Sequence, residues 1–219
     1  MAPAGLLVLA GCAIGTIPVP DQGRAPTAGR PAPAGQRADP RDAARVSRLM
    51  IPLIRAANNP RPIDQVRVGL VDESSVNAGS AGNGQYIITR GLLAHASDEQ
   101  LQAILAHEVA HDDLNHVARL QTLGTGVQIG AIILDQIFPG TGQIAPLAGN
   151  LLIRAYSRPQ EIAADRHGAE LLRRVGSSKD AMERTLVWLK DVTGGGSRGG
   201  FFSTHPGVDE RIEALRRAP

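Results

Sequence analysis

A single cysteine, Cys12, stands in the 219 residues, so no intrachain disulfide can form. A structural zinc finger is excluded as well, since it needs several thiolates. Any metal site must draw on His, Asp and Glu. Aromatic residues are equally scarce, at 3% against 42% hydrophobic overall. That is enough for one domain and a tail, but Leu, Ile, Val and Ala must build the core. Lysine occurs only as Lys179 and Lys190; the remaining positive charge is arginine, which reads as genome composition. Those arginines are scattered, the net charge is +2 and the pI is near 9.1. Nucleic acid is therefore not an expected partner. No internal repeat is visible.

The N-terminus carries an address. Residues 5 to 12 read Gly-Leu-Leu-Val-Leu-Ala-Gly-Cys, a short apolar run ending in small residues, as in a secretory signal. Leu9-Ala10-Gly11-Cys12 resembles a bacterial lipobox, which implies a lipidated Cys12 at a new N-terminus. No Lys or Arg precedes the run. Ala13 follows the cysteine where an aspartate would signal inner-membrane retention, so an outer-membrane anchor facing the periplasm is expected. From residue 13 to 40, Pro18, Pro20, Pro26, Pro31, Pro33 and Pro40 alternate with Gly, Ala and Arg. Such a segment cannot bury enough apolar area to fold. It reads as a disordered tether reaching roughly 30 Å, leaving 41–219 as the folded domain.

Within that domain the patterning predicts a helix from Asp42 to about Asn58, ended by Pro60 and Pro62. Strands are expected over Gln65–Val71 and Gln85–Thr89, separated by a Gly-, Ser- and Asn-rich stretch from Ser74 to Gly84. Ser97-Asp98-Glu99-Gln100 is a capping box opening a helix that runs to about Arg119. The apolar stretch Val127–Phe138 is too short for a transmembrane span of about 20 residues; a buried helix and a lipid-facing element both fit it. Further helices are expected over Arg158–Val175, Ser178–Val192 and Val208–Arg217. Gly194-Gly195-Gly196 and Gly199-Gly200 form a loop before the last of them.

His107-Glu108-Val109-Ala110-His111 is an HExxH motif on the capped helix. Residues four apart are turned by about 40° on a helix, so both imidazoles face one side and can hold one zinc ion. Glu108, beside the first ligand, is placed to reach a water molecule. Ala103, Ala106 and Ala110 would let another backbone pack close. A catalytic zinc needs a third protein ligand and an open position. His116 follows His107 by nine residues, about 180° around a continuous helix, and reads as structural. The better third ligand is Glu161 in Ser157-Arg158-Pro159-Gln160-Glu161-Ile162-Ala163-Ala164-Asp165. Asp165, four residues on, shares its face and would hold the outer nitrogen of a ligating histidine.

On these residues the chain resembles the HtpX-like and CAAX-prenyl-protease family of gluzincin metallopeptidases, above all its periplasmic lipoprotein members. The resemblance also draws on Asn77-Ala78, Gly91-Leu92-Leu93, and Phe202-Ser203-Thr204-His205-Pro206 with Glu210-Arg211-Ile212. It implies an α+β zincin fold, mostly helical, with a small sheet beside the HExxH helix. Asn77 and Ala78 would lie on an edge strand that pairs with substrate backbone, and Gly79 stands where a larger residue is common. His205, with Arg211 in support, would face the oxyanion of the tetrahedral intermediate without holding the metal. A competing possibility has His205 capping the zinc in a closed form and swinging away for substrate.

The expected activity is a zinc metalloendopeptidase with one Zn2+ per chain, acting on protein substrates such as misfolded envelope proteins. The alternative is a chaperone-like outer-membrane assembly factor whose proteolysis is repressed or secondary. Intact His107, Glu108, His111 and Glu161 favour the enzyme.

Overall fold

The computed structural model describes residues 39–117, 144–145, 156–195 and 200–218. Cys12 with its apolar run, the tether as far as residue 38, Val127–Phe138, Gly196 and Gly199 lie outside the described residues. The elements are α1 (Pro40–Ala56), a 3-10 turn (Ile63–Gln65), β1 (Arg67–Val71), β2 (Ala78–Gly82), β3 (Gln85–Thr89), α2 (Arg90–His95), α3 (Asp98–Asp113), β4 (Ile144–Ala145), α4 (Arg158–Arg174), α5 (Asp180–Thr193), α6 (Phe201–Thr204) and α7 (Val208–Arg216).

Helix α1 starts where the Asp39 side chain accepts the Arg41 amide at 2.8 Å, with Pro40 in the first turn. Its apolar stripe of Val46, Leu49, Met50, Leu53 and Ile54 is buried. From the same helix Arg45 donates to the carbonyls of Leu93 and Ala96 and to Asp98. It thus satisfies the end of α2 and fixes the start of α3.

The sheet runs in the order β2-β3-β1-β4. β1 and β3 are parallel, with Leu70 opposite Ile88, and the two residues of β4 extend β1 on its other side. β2 is antiparallel to β3 and forms the edge. Its presence inside the Gly-rich stretch shows how weak the alternation signal is when the strand reads Ala-Gly-Ser-Ala-Gly. The turn into β3 is Asn83-Gly84, both at positive φ (53° and 75°), as a tight hairpin requires.

The capping box predicted at Ser97 is present, with Gln100 accepting the Ser97 amide at 2.8 Å. Helix α3 ends at Asp113, short of Arg119, because Asn115 takes a left-handed φ of 54°. Every residue from Ala103 to Asp113 is buried, so this helix is the centre of the molecule. β2, α1, α4 and α5 pack around it. The closest approach is to α4 at Gly168, where a Cβ would lie 3.2 Å from the His107 nitrogen. Leu53, Leu92, Leu101, Leu105, Leu171 and Leu172 fill the core, in keeping with the shortage of aromatics. Among the described residues no helix is long and apolar enough to cross a membrane.

Candidate metal centre

Helix α3 supplies His107, Glu108 and His111; α4 supplies Glu161 and Asp165. His205 follows α6, and Arg211 lies on α7. These four stretches meet in the core, and His107, Glu108, His111, Glu161 and His205 are each 1% exposed or less. Buried this deeply, their polar atoms depend on the partners the site itself provides.

The His107 and His111 Nε2 atoms face one another at 3.0 Å. Glu161 brings Oε1 to 3.3 Å from the His111 Nε2 and Oε2 to 3.5 Å from that of His107. Donor atoms bound tetrahedrally at zinc distances are about 3.3 Å apart, so this spacing fits one metal ion. The tautomers fit as well. Asp165 Oδ1 lies 2.9 Å from His107 Nδ1 and accepts a hydrogen bond from it, which turns Nε2 toward the cluster as the atom that would bind a metal. The residues His107, His111, Glu161 and His205 form one group able to hold a metal ion.

Positive charge takes a metal's place among the carboxylates, and an ion would displace the His107 Nε2 proton. Burial would raise Glu161, but His205 and Arg211 overcome it and hold the carboxyl well below its usual range. Asp165 is likewise lowered: Arg211 outweighs burial. Burial, reinforced by His107, pushes His111 well below the ordinary histidine value and keeps it neutral. At His107, burial and Arg211 pull downward, yet Asp165 and Glu161 carry it up to about 9.

His205 stands where the second of the two expected arrangements, the capping one, would put it. Its Nδ1 sits among the donor atoms, 3.3 Å from His107 Nε2 and 3.2 Å from Glu161 Oε1. Its ring stacks on Phe201 with centroids 4.2 Å apart. Its Nε2 faces Glu108 Oε1 at 3.4 Å, and neither Glu108 oxygen has a hydrogen-bond partner among the described residues. Arg211, expected in support of His205, lies behind the ligands. It is fully buried and bidentate to Asp165 at 2.6 and 2.7 Å, contacts Glu161 Oε2 at 2.6 Å, and donates to the His205 carbonyl. A guanidinium so engaged positions carboxylates and does not reach substrate.

His116 returns to His111 because the chain turns at Asn115, so the rotation estimate for a continuous helix does not apply. It meets the outer nitrogen, Nδ1 to Nδ1 at 3.0 Å, opposite the metal-facing edge. Asn77 and Ala78 lie at the start of the edge strand, where the Asn77 amide donates to Thr89 Oγ1. Sequence reasoning missed Tyr156, stacked on His111 at 3.8 Å, although it directly precedes the Ser157–Asp165 block. It also missed Asp112 and Asp113, whose signal is two carboxylates at a helix C-terminus, where the dipole disfavours them.

Residues 40–218 match peptidase family M48. The chain belongs to that family. It is 30% identical to a protease HtpX homolog of Methylibium petroleiphilum, over 68% of this chain and 67% of the relative. It is 28% identical to one from Burkholderia thailandensis, over 82% and 76%. M48 peptidases are metal-dependent, and the protein is a metalloprotease of HtpX-like type with a zincin fold.

Proposed function

We propose that the protein is a zinc endopeptidase of the bacterial cell envelope, acting on misfolded or unfolded protein chains as part of quality control. The observation that carries this reading is the pairing of a tetrahedrally spaced donor set with Glu108, a buried carboxylate with no hydrogen-bond partner among the described residues and only His205 Nε2 facing it at 3.4 Å. His107, His111 and Glu161 would hold the ion. Zinc, when bound, supplies a Lewis acid for the scissile carbonyl and for water.

The chain's own residues do the rest. Glu108 takes the proton of the attacking water and passes it to the leaving amine. Asp165 and Arg211 keep His107 and Glu161 in register. His205 donates to the developing oxyanion once substrate is seated. In the closed arrangement its Nδ1 stands in the donor set, 3.3 Å from His107 Nε2. That placement favours a resting state with low activity and keeps the second reading in play, an assembly factor with repressed proteolysis. Asn77 and Ala78 would present the strand edge to substrate. Cys12 would be lipidated and anchor the domain, through its tether, to the outer membrane.

Unfolded casein incubated with purified protein tests the enzyme. Cleavage that stops with a chelator and returns with one equivalent of zinc is expected; chelator-insensitive cleavage contradicts it. Cys12→Ala in the native host should abolish acylation and release the protein from membranes. An unmodified Cys12 in the mature protein refutes the anchor.

A further inference from the structure

Tyr156 is 3% exposed and joins two parts of the site. Its ring lies on His111 at 3.8 Å and an interplanar angle of 29°. Its hydroxyl donates to the Ser80 carbonyl on β2 at 3.3 Å. Its own amide is held by the Thr204 carbonyl, next to His205.

The pairing of β2 with β3 shows what that carbonyl is for. The Thr89 amide donates to the Asn77 carbonyl, so Asn77 and Thr89 form a hydrogen-bonded pair. Such pairs alternate with non-bonded ones in an antiparallel ladder. Ala78–Ile88 and Ser80–Tyr86 are therefore non-bonded, and Ala78 N–H and Ser80 C=O point away from β3 to the free edge. Both are occupied. The Asn77 side chain accepts the Ala78 amide at 2.9 Å, and Tyr156 covers Ser80. Unpaired edges are commonly masked in this way. This mask, however, is attached to the face of a metal-ligating histidine.

We propose that Tyr156 is a substrate-displaced latch, a positioning residue that holds the Ser80 carbonyl until an extended peptide pairs with β2. The inference deepens the endopeptidase reading and rests on its edge-strand component. An incoming strand supplies the N–H that replaces the phenol, and the freed ring no longer fixes the His111 face. At 3.3 Å the bond is longer than the usual 2.7–2.8 Å or so of O–H···O pairs, so displacement costs little. The strand itself offers only Ala, Gly and Ser. Recognition through it therefore selects extended backbone and discriminates weakly among side chains.

Tyr156→Phe keeps the ring and removes the hydroxyl. In the zinc-loaded Glu108→Gln protein, which cannot turn substrate over, it should tighten binding of a labelled unfolded casein fragment. The expected gain is about three- to tenfold, the worth of one neutral hydrogen bond. In the Glu108 protein the same gain should appear in KM more than in kcat. Unchanged binding would make the hydroxyl a purely structural bond. A hundredfold fall in kcat with KM unmoved would make it a transition-state donor. Either result overturns the latch. The binding arm needs no hydrolysis, so a chain that cleaves nothing would count against the endopeptidase reading while still reporting on Tyr156.

Discussion

Helix α3 carries three buried carboxylates, Glu108 within its last two turns and the pair Asp112 and Asp113 at its end, and the two places use their oxygens in opposite ways. At the C-terminus nothing is left over. Asp113 accepts the amides of Asn58 and Asn59, each at 2.8 Å, and faces His167 Nε2 at 2.6 Å. Asp112 accepts from Arg61, the Gly84 amide and the Tyr86 hydroxyl. Together they tie the helix end to the loop after α1, to the hairpin turn and to α4. One and a half turns earlier, Glu108 has two oxygens and His205 one nitrogen without hydrogen-bond partners among the described residues. Buried polar groups are nearly always paired. Saturation marks the structural end, and unspent capacity marks the chemical one.

The difference is sharpest at Glu108. Glu108→Gln should keep its zinc and its melting temperature while turnover falls about 10²- to 10⁴-fold. Normal turnover in a metal-loaded variant would place the base elsewhere. His205→Ala should retain zinc and slow the reaction about a hundredfold at saturating substrate, the usual loss on removing one oxyanion donor. A faster variant would make His205 chiefly an inhibitory ligand of the closed form.

The structural end should respond in stability instead. Asp113→Ala removes the acceptor shared by the Asn58 and Asn59 amides and His167 and should cost about 1–2 kcal/mol in urea unfolding, with turnover per folded molecule close to that of the parent. Burial raises the Asp113 carboxyl, but His167, Asn58 and Asn59 lower it further, and the net shift is downward. A lowered carboxyl stabilises the fold above the ordinary aspartate value, about 3.9, and loses that contribution as pH falls through its folded value. The melting-temperature gap between parent and variant should therefore be wide at neutral pH and shrink below about pH 4. The smallest effect is expected at Gly168. A methyl there would lie 2.6 Å from Met182 Cε, the end of a flexible side chain that must move aside, 3.2 Å from the His107 nitrogen and 3.3 Å from the Ala106 carbonyl carbon. Overpacking of about 1–3 kcal/mol opposes a helix-propensity gain near 1 kcal/mol. Gly168→Ala should thus change stability by less than about 2 kcal/mol and show itself mainly as weaker zinc binding.

Local signals were legible because they act within one element. The Ser97 capping box, the HExxH spacing and the Glu161–Asp165 pair each depend only on helical geometry, and the helices stand close to where patterning put them. Strand β2 was hidden from patterning because Ala-Gly-Ser-Ala-Gly has no hydrophobic alternation, and only the resemblance placed an edge strand at Asn77 and Ala78; Asn83-Gly84 was its overlooked turn signal. Contacts between elements left no periodic trace. Spacing alone gives Arg211 no partner; its place in the site came only through the resemblance, and it is the packing of α7 against α4 that buries it on Asp165. The displacement of His205 into the donor set and of His116 onto the outer nitrogen of His111 depends on two loop turns, one at Asn115 (φ 54°) and one at Gly207 (φ 83°). Spacing along the chain carries no record of either.

The contrast between the two carboxylate groups stands or falls on metal content. Zinc per folded chain should be measured in the parent and in Glu161→Ala, Asp113→Ala and His116→Ala proteins after exhaustive dialysis. One ion is expected in the parent and in the Asp113 and His116 variants, and none in Glu161→Ala. Retention of a full equivalent by Glu161→Ala, with loss from folded Asp113→Ala, would contradict the assignment of chemical and structural ends.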